Sequence, residues 1–242
     1  MQIIALFGPT GVGKTALALA LARRLRARGE NPVAVSADAL QVYAGLETLT
    51  GVAGAEERKQ LEHRLVSFVP LQATFSAGEY AKLAHAEIDG LLAAGRRPIV
   101  VGGTGLYLRA ALAELDFKPP PPDGESQLWS DEMRRPTLLV GLTMEREALY
   151  ERTDTRVREI LDAGAREEVR RADAAGASVT ARKALGFEEL LIDDVEAMQR
   201  RTRNYARRQL SWMRKMAGVN LIDVTGRDAD DIAREILDSG AP

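Results

Sequence analysis

The chain has 242 residues, 45% of them apolar, enough for an ample core in one large domain or one domain with an appendage. It has no cysteine and two histidines, His63 and His85, which excludes disulfides, thiolate catalysis, cysteine-ligated zinc and a histidine metal cluster. A formal net charge of −2 argues against a generic nucleic-acid binder but leaves room for a local basic patch.

The N-terminus lacks the basic region of a signal peptide. No apolar run approaches the ~20 residues needed to cross a bilayer. A cytoplasmic protein with no membrane partner is expected.

Residues 2 to 7 (QIIALF) read as a buried strand of a parallel sheet. Gly8, Pro9, Thr10, Gly11, Val12, Gly13, Lys14 and Thr15 follow as GPTGVGKT, which fits G-x-x-x-x-G-K-[ST], the phosphate-binding loop. Such a loop turns backbone N–H groups toward one concavity, the next helix adds its N-terminal dipole, and Lys14 adds a full charge. Thr15 offers a hydroxyl to a magnesium ion riding on the phosphates. A ligand with a di- or triphosphate is expected here.

Ala16 to Leu25 reads as a helix with Leu17, Leu21 and Leu25 on one face. A second strand, Val33 to Val35, runs into Ser36, Ala37 and Asp38. In open α/β sheets ligands sit outside the carboxyl ends of the strands, so Asp38 is aimed at the mouth that the loop lines. A turn or helix-cap role for Asp38 is the structural alternative. Residues 51 to 63 are polar and suit a short surface helix or loop, and Arg64 to Val69 (RLVSFV) reads as a third strand.

Ser76 to Gly95 reads as a long helix opened by a Ser76-x-x-Glu79 capping box. A fourth strand, Pro98 to Val101, leads through Gly102-Gly103-Thr104-Gly105 into a helix over Leu106 to Leu115. Phosphate-loop ATPases usually hold magnesium with an aspartate at the end of such a strand; IVVGGTG has none, which weakens an ATPase reading. Strand–helix alternation gives the fold class: α/β, a three-layer doubly wound parallel sheet, P-loop NTPase-like, with a helical C-terminal region.

Residues 116 to 135 carry four consecutive prolines and no periodicity, and read as a linker or an excursion from the compact domain. The expected organisation is therefore a core over 1–115, this excursion over 116–135, and the remainder of the core over 136–242. Thr137 to Leu142 reads as a fifth strand. Glu145 to Leu161 reads as a helix with Arg152 and Arg156 one turn apart on one face.

The last long helix spans roughly Val195 to Ala217, with Met198, Tyr205, Trp212 and Met216 as a packing stripe. Between Arg200 and Lys215 there are seven basic residues and no acid, an asymmetry that favours contact with phosphate or RNA over a merely solvated face. A final strand (Asn220 to Val224) and helix (Asp228 to Leu237) close the sheet.

GPTGVGKT, SADALQVY, PIVVGGTGLYLRA, YERTDTRVREILDAGAREEV, ARKALGFEEL and RNYARRQLSWMRK together resemble, in order, motifs of the tRNA dimethylallyltransferases. These enzymes prenylate an adenosine beside the anticodon. The resemblance implies dimethylallyl diphosphate as donor, the anticodon stem-loop of tRNA as partner, Mg2+ as cofactor and a monomer. It implies that the loop and Arg152 hold the diphosphate, not ATP. It further implies that Arg156 reaches the leaving group, that Asp38 is the base and that Thr104 positions the adenine. Ala39, Leu40 and Gln41 match the stretch that cradles the flipped base, and Arg207, Arg208 and Gln209 match a basic tRNA-contacting motif. Family members carry an inserted helical domain between the equivalents of Leu115 and Thr137, of which only the proline-rich excursion remains here. The family's paired histidines are reduced to His63-Arg64.

Three other readings compete with tRNA prenylation. They are prenylation of a free adenine nucleotide, a small-metabolite kinase using ATP in the same loop, and an RNA-binding relic without activity.

Overall fold

β1 (Ile3–Phe7) is buried at every position, as its unbroken apolar run requires. In the computed structural model, which describes residues 1–117 and 127–239, α1 (Lys14–Ala27) follows it. α1 starts two residues earlier than its apolar period indicates, because Gly13, at φ 102°, turns the loop directly into the helix. β2 (Pro32–Ser36) carries the chain to Asp38, and the short α2 (Glu47–Thr50) and α3 (Ala55–Gln60) come before β3 (His63–Arg64).

The strand expected over Arg64 to Val69 stops at its first residue. Leu65 and Ser67 take φ of 58° and 51°, outside the β region. The chain folds back instead, so that the N–H groups of Ser67 and Phe68 bond the carbonyls of Gln41 and Val42.

α4 (Ala77–Ala93) opens on the expected capping box: Ser76 Oγ accepts the Glu79 N–H at 3.2 Å and Glu79 Oε2 accepts the Ser76 N–H at 2.9 Å. β4 (Arg97–Gly102), α5 (Gly105–Leu112), β5 (Thr137–Thr143) and α6 (Arg146–Asp162) follow. α7 (Ala165–Ala174), α8 (Phe187–Leu191) and α9 (Val195–Met213) then form the helical region, before β6 (Asn220–Asp223) and α10 (Ala229–Ser239). α9 ends four residues short of the expected Ala217, although Met216 is still buried.

The six strands pair in the order β3-β2-β4-β1-β5-β6, all parallel, so β1 lies between β4 and β5. Ile4 and Leu6 pack on one face against α1 and α10, while Ile3, Ala5 and Phe7 pack on the other against α4 and α5. This is the three-layer doubly wound arrangement. A third core joins Tyr43 and Leu49 to Val157, Val169, Phe187 and Met198, and it anchors the helical region to the loop after β2.

Residues 118–126, with the four consecutive prolines, and residues 240–242 lie outside the described residues. The rest of the expected excursion is packed on the core. The buried guanidinium of Arg109 donates to the carbonyls of Gln127 (3.1 Å) and Glu132 (3.2 Å), and Trp129 stands 4.6 Å from Trp212 between ring centroids.

Candidate active site

A cavity of about 890 Å³ opens at the carboxyl ends of the strands, the position that the fold favours for a ligand. The phosphate loop, Asp38, the β4 end and α6 all contribute to its lining. Lys14 donates through Nζ to the carbonyls of Gly8 and Pro9, each at 2.9 Å. Burial pulls its pKa down to about 8; the charge of Asp38 opposes this fall and that of Arg156 adds to it. An amine so placed gains most from an incoming anion.

Arg152 and Arg156 both line the cavity, as their spacing on α6 indicated. Gly11 (φ 80°) sits against Thr153, which brings α6 close to the loop, and a Cβ on Gly51 would overlap the Arg156 guanidinium. Burial lowers the pKa of Arg156, while Glu159, Glu57 and Asp38 raise it. With Lys14 it makes a cationic floor in a low-dielectric site.

Asp38 lies on the cavity wall, and its Oδ1 accepts the Leu40 N–H at 3.0 Å. It is therefore both a turn residue and a wall residue, with its second oxygen free of that turn bond. Thr104 Oγ1 accepts the Ala39 N–H at 3.4 Å and lies 3.4 Å from the Tyr205 hydroxyl. The stretch after Asp38 is held by Gln41, whose Oε1 accepts Ser36 Oγ–H at 3.0 Å and whose Nε2 donates to the carbonyls of Thr50 and Gly51. Gln41 thus shapes the wall with its side-chain amide.

The IPP transferase family model matches residues 41–135 and 123–216. The tRNA dimethylallyltransferase of Thermobifida fusca is 32% identical, with 96% of this chain and 92% of that protein covered. The chain belongs to the IPP transferase family.

Among solved structures, a tRNA isopentenylpyrophosphate transferase from Bacillus halodurans is similar at TM-score 0.85 and 26% identity. That likeness covers 98% of this chain and 95% of the other. One from Staphylococcus epidermidis matches at TM-score 0.83 and 25% identity, over 99% and 98% of the two chains. The alignment to the Thermobifida protein runs over 295 positions, so that relative has internal residues without counterparts in the 242 here. The two family-model segments overlap at 123–135, which falls in the shortened excursion.

The basic helix differs from its sequence reading in two ways. Three of its seven cations are paired with acids outside that run: Arg200 with Glu196 one turn earlier on α9, Arg201 with Glu189 of α8 and Arg203 with Asp154 of α6. The Glu196 partner is an ordinary one-turn pair, whereas Glu189 and Asp154 come from other helices, which sequence proximity could not show. Arg207, Arg208 and Arg214 are exposed and form no ion pair among the described residues. Gln209 points the other way from its two exposed arginine neighbours: it is 6% exposed and lines the cavity.

Tyr205, read from the sequence as part of a packing stripe, is a cavity residue. Burial, and then the charge of Asp38, push its phenol up to about 12, against a smaller opposing effect of Thr104. It stays a protonated donor at neutral pH. Its seven-residue offsets from Met198 and Trp212 hid this role, because packing and lining residues share that spacing.

Proposed function

We propose that the chain transfers a dimethylallyl group from dimethylallyl diphosphate to the exocyclic amine of the adenosine next to the anticodon in tRNA. One observation carries the reading: a single cavity joins the Lys14 loop and two α6 arginines to the Asp38 carboxylate, with a glycine-rich β4 end in place of an ATPase acid. The name of the Thermobifida relative supports tRNA as acceptor.

In this reading the loop N–H groups, Lys14, Arg152 and Arg156 bind the donor diphosphate. They stabilise the negative charge that grows as the allylic C–O bond breaks and its electron pair leaves with the diphosphate. The adenine amine forms the new C–N bond, and Asp38 takes the proton that this nitrogen loses. A positioned carboxylate in that role is worth about 10²- to 10⁴-fold. Tyr205 presents its hydroxyl to the base, with Thr104 behind it tied to the Ala39 N–H, and Leu40 lines the path with Gln41 holding the wall. An extruded base suits this geometry, since the target atom must leave its stack to reach Asp38. Arg207 and Arg208 meet the RNA backbone.

The donor set fits a divalent ion carried by the diphosphate. Thr15 brings a hydroxyl oxygen to the cavity, and among the described residues no cluster of three acids or histidines would cage a metal independently. Thr15 would hold Mg2+ there; when bound, the ion neutralises charge on the departing diphosphate. We assign the chain as a monomer and its compartment as the cytoplasm.

Incubation with labelled dimethylallyl diphosphate, magnesium and unmodified tRNA tests the proposal. Label in the RNA is the expected result, and unlabelled RNA overturns it.

A further inference from the structure

Gln209 lies on the helix that carries the exposed Arg207 and Arg208, yet its side chain runs inward. Its Oε1 accepts the backbone N–H of Thr10 at 2.9 Å, and its Nε2 donates to the carbonyl of Gly103 at 2.7 Å. One buried amide therefore bridges the phosphate loop, the end of β4 and α9, segments separated by 199 and 106 residues from Gln209 in the chain. The junction is tight. A Cβ on Gly103 would stand 2.5 Å from Gln209 Nε2 and 3.5 Å from Lys14 Nζ, and a Cβ on Gly105 would overlap the Trp212 ring. α9 is thus seated directly on the turn that follows β4.

We propose that Gln209 is a positioning residue that fixes the phosphate loop from the RNA-facing helix: it lines the cavity, but its amide is spent on Thr10 and Gly103 and does not meet the RNA backbone beside Arg207 and Arg208. This rests on the loop being the diphosphate site. The task calls for an acceptor and a donor on one carbon, which at neutral pH the Asn and Gln amides supply, and Asn is a methylene too short to keep both bonds. With Thr10 tied back to Gln209, the loop is held near its binding shape before the donor arrives. Preorganisation of that kind raises affinity by removing an ordering cost.

The test is calorimetric titration of inorganic pyrophosphate with magnesium into the full chain, together with kcat and the KM for tRNA. Gln209→Met deletes both hydrogen bonds at nearly constant volume. It is expected to weaken pyrophosphate binding about tenfold or more, because a buried donor and acceptor are left unpaired, and to lower kcat. The KM for tRNA is expected to stay within about twofold. Gln209→Glu covers the case in which Q209M does not fold. The glutamate keeps the Thr10 bond but sets a carboxylate against the Gly103 carbonyl. Its affinity deficit relative to wild type, compared at each pH, is expected to shrink from pH 7.5 to 5 as the carboxyl regains a proton to donate.

Unchanged pyrophosphate affinity in either variant, or a raised KM for tRNA with pyrophosphate binding intact, overturns the proposal in favour of direct RNA contact or a purely structural role. Wild-type protein that binds no pyrophosphate at all would instead overturn the donor-site reading on which the inference rests.

Discussion

Gly51 and Arg156 occupy one another's space: the glycine, at φ 62° and ψ 49°, ends α2 and leaves the room that the guanidinium fills. The carbonyl of Gly51 also accepts Gln41 Nε2 at 3.1 Å, so one residue without a Cβ serves both walls of the cavity. Gly51→Ala brings left-handed strain of about 1–2 kcal/mol and evicts Arg156. The expected result is a lower melting temperature and a loss of about tenfold or more in kcat/KM for the donor, the scale of one charged hydrogen bond. Thermal denaturation and steady-state kinetics on one preparation check both effects.

Asp38→Asn keeps the turn bond to Leu40 but cannot accept a proton. Single-turnover measurements are expected to show transfer slowed by about 10²- to 10⁴-fold. Pyrophosphate affinity should not fall, because the substitution removes a negative charge from the anion site. A variant that transfers at the wild-type rate would mean that Asp38 is only a turn residue.

The Lys14 amine, held at about 8 in the free chain, should be fully protonated beside bound diphosphate. Donor binding then takes up a proton, and affinity for pyrophosphate is expected to weaken as pH rises through about 8. Calorimetry in buffers of different ionisation enthalpy would read this uptake directly. In the unliganded chain the sign is reversed. The lowered pKa destabilises the fold below about 8, and the penalty fades as pH rises from there toward 10.5.

Arg207 and Arg208 are exposed on α9, and Arg208 lies 5.6 Å over the Tyr205 ring. Replacing both with Ala is expected to raise the KM for tRNA. It should also flatten the dependence of log affinity on log salt by about 0.7–0.9 for each phosphate that the protein no longer neutralises. A salt titration of tRNA binding by wild type and variant measures that slope.

What the sequence made legible follows from how local each signal was. The Ser76–Glu79 capping box, the Leu17-Leu21-Leu25 face and the shared face of Arg152 and Arg156 are short-range patterns, and each appears as expected. RLVSFV has the composition of a strand, but Leu65 and Ser67 turn into the left-handed region because the Gln41–Val42 carbonyls offer nearer partners than a sheet edge. The charge run on α9 looked uncompensated because Asp154 and Glu189 reach it from other helices. Gln209 was grouped with its arginine neighbours by adjacency, although successive residues of a helix point about 100° apart. Tertiary pairing decided each of these points.

The measurement that tests the account most directly is nucleoside mass spectrometry after incubating the chain with dimethylallyl diphosphate, Mg2+ and one of three acceptors. The acceptors are a tRNA transcript, the same transcript with guanosine in place of the adenosine beside the anticodon, and AMP. The account predicts a dimethylallyl adduct on that adenosine in the first transcript, none in the second, and less product on AMP than on tRNA. More product on AMP than on tRNA, or an adduct that persists in the substituted transcript, would contradict it.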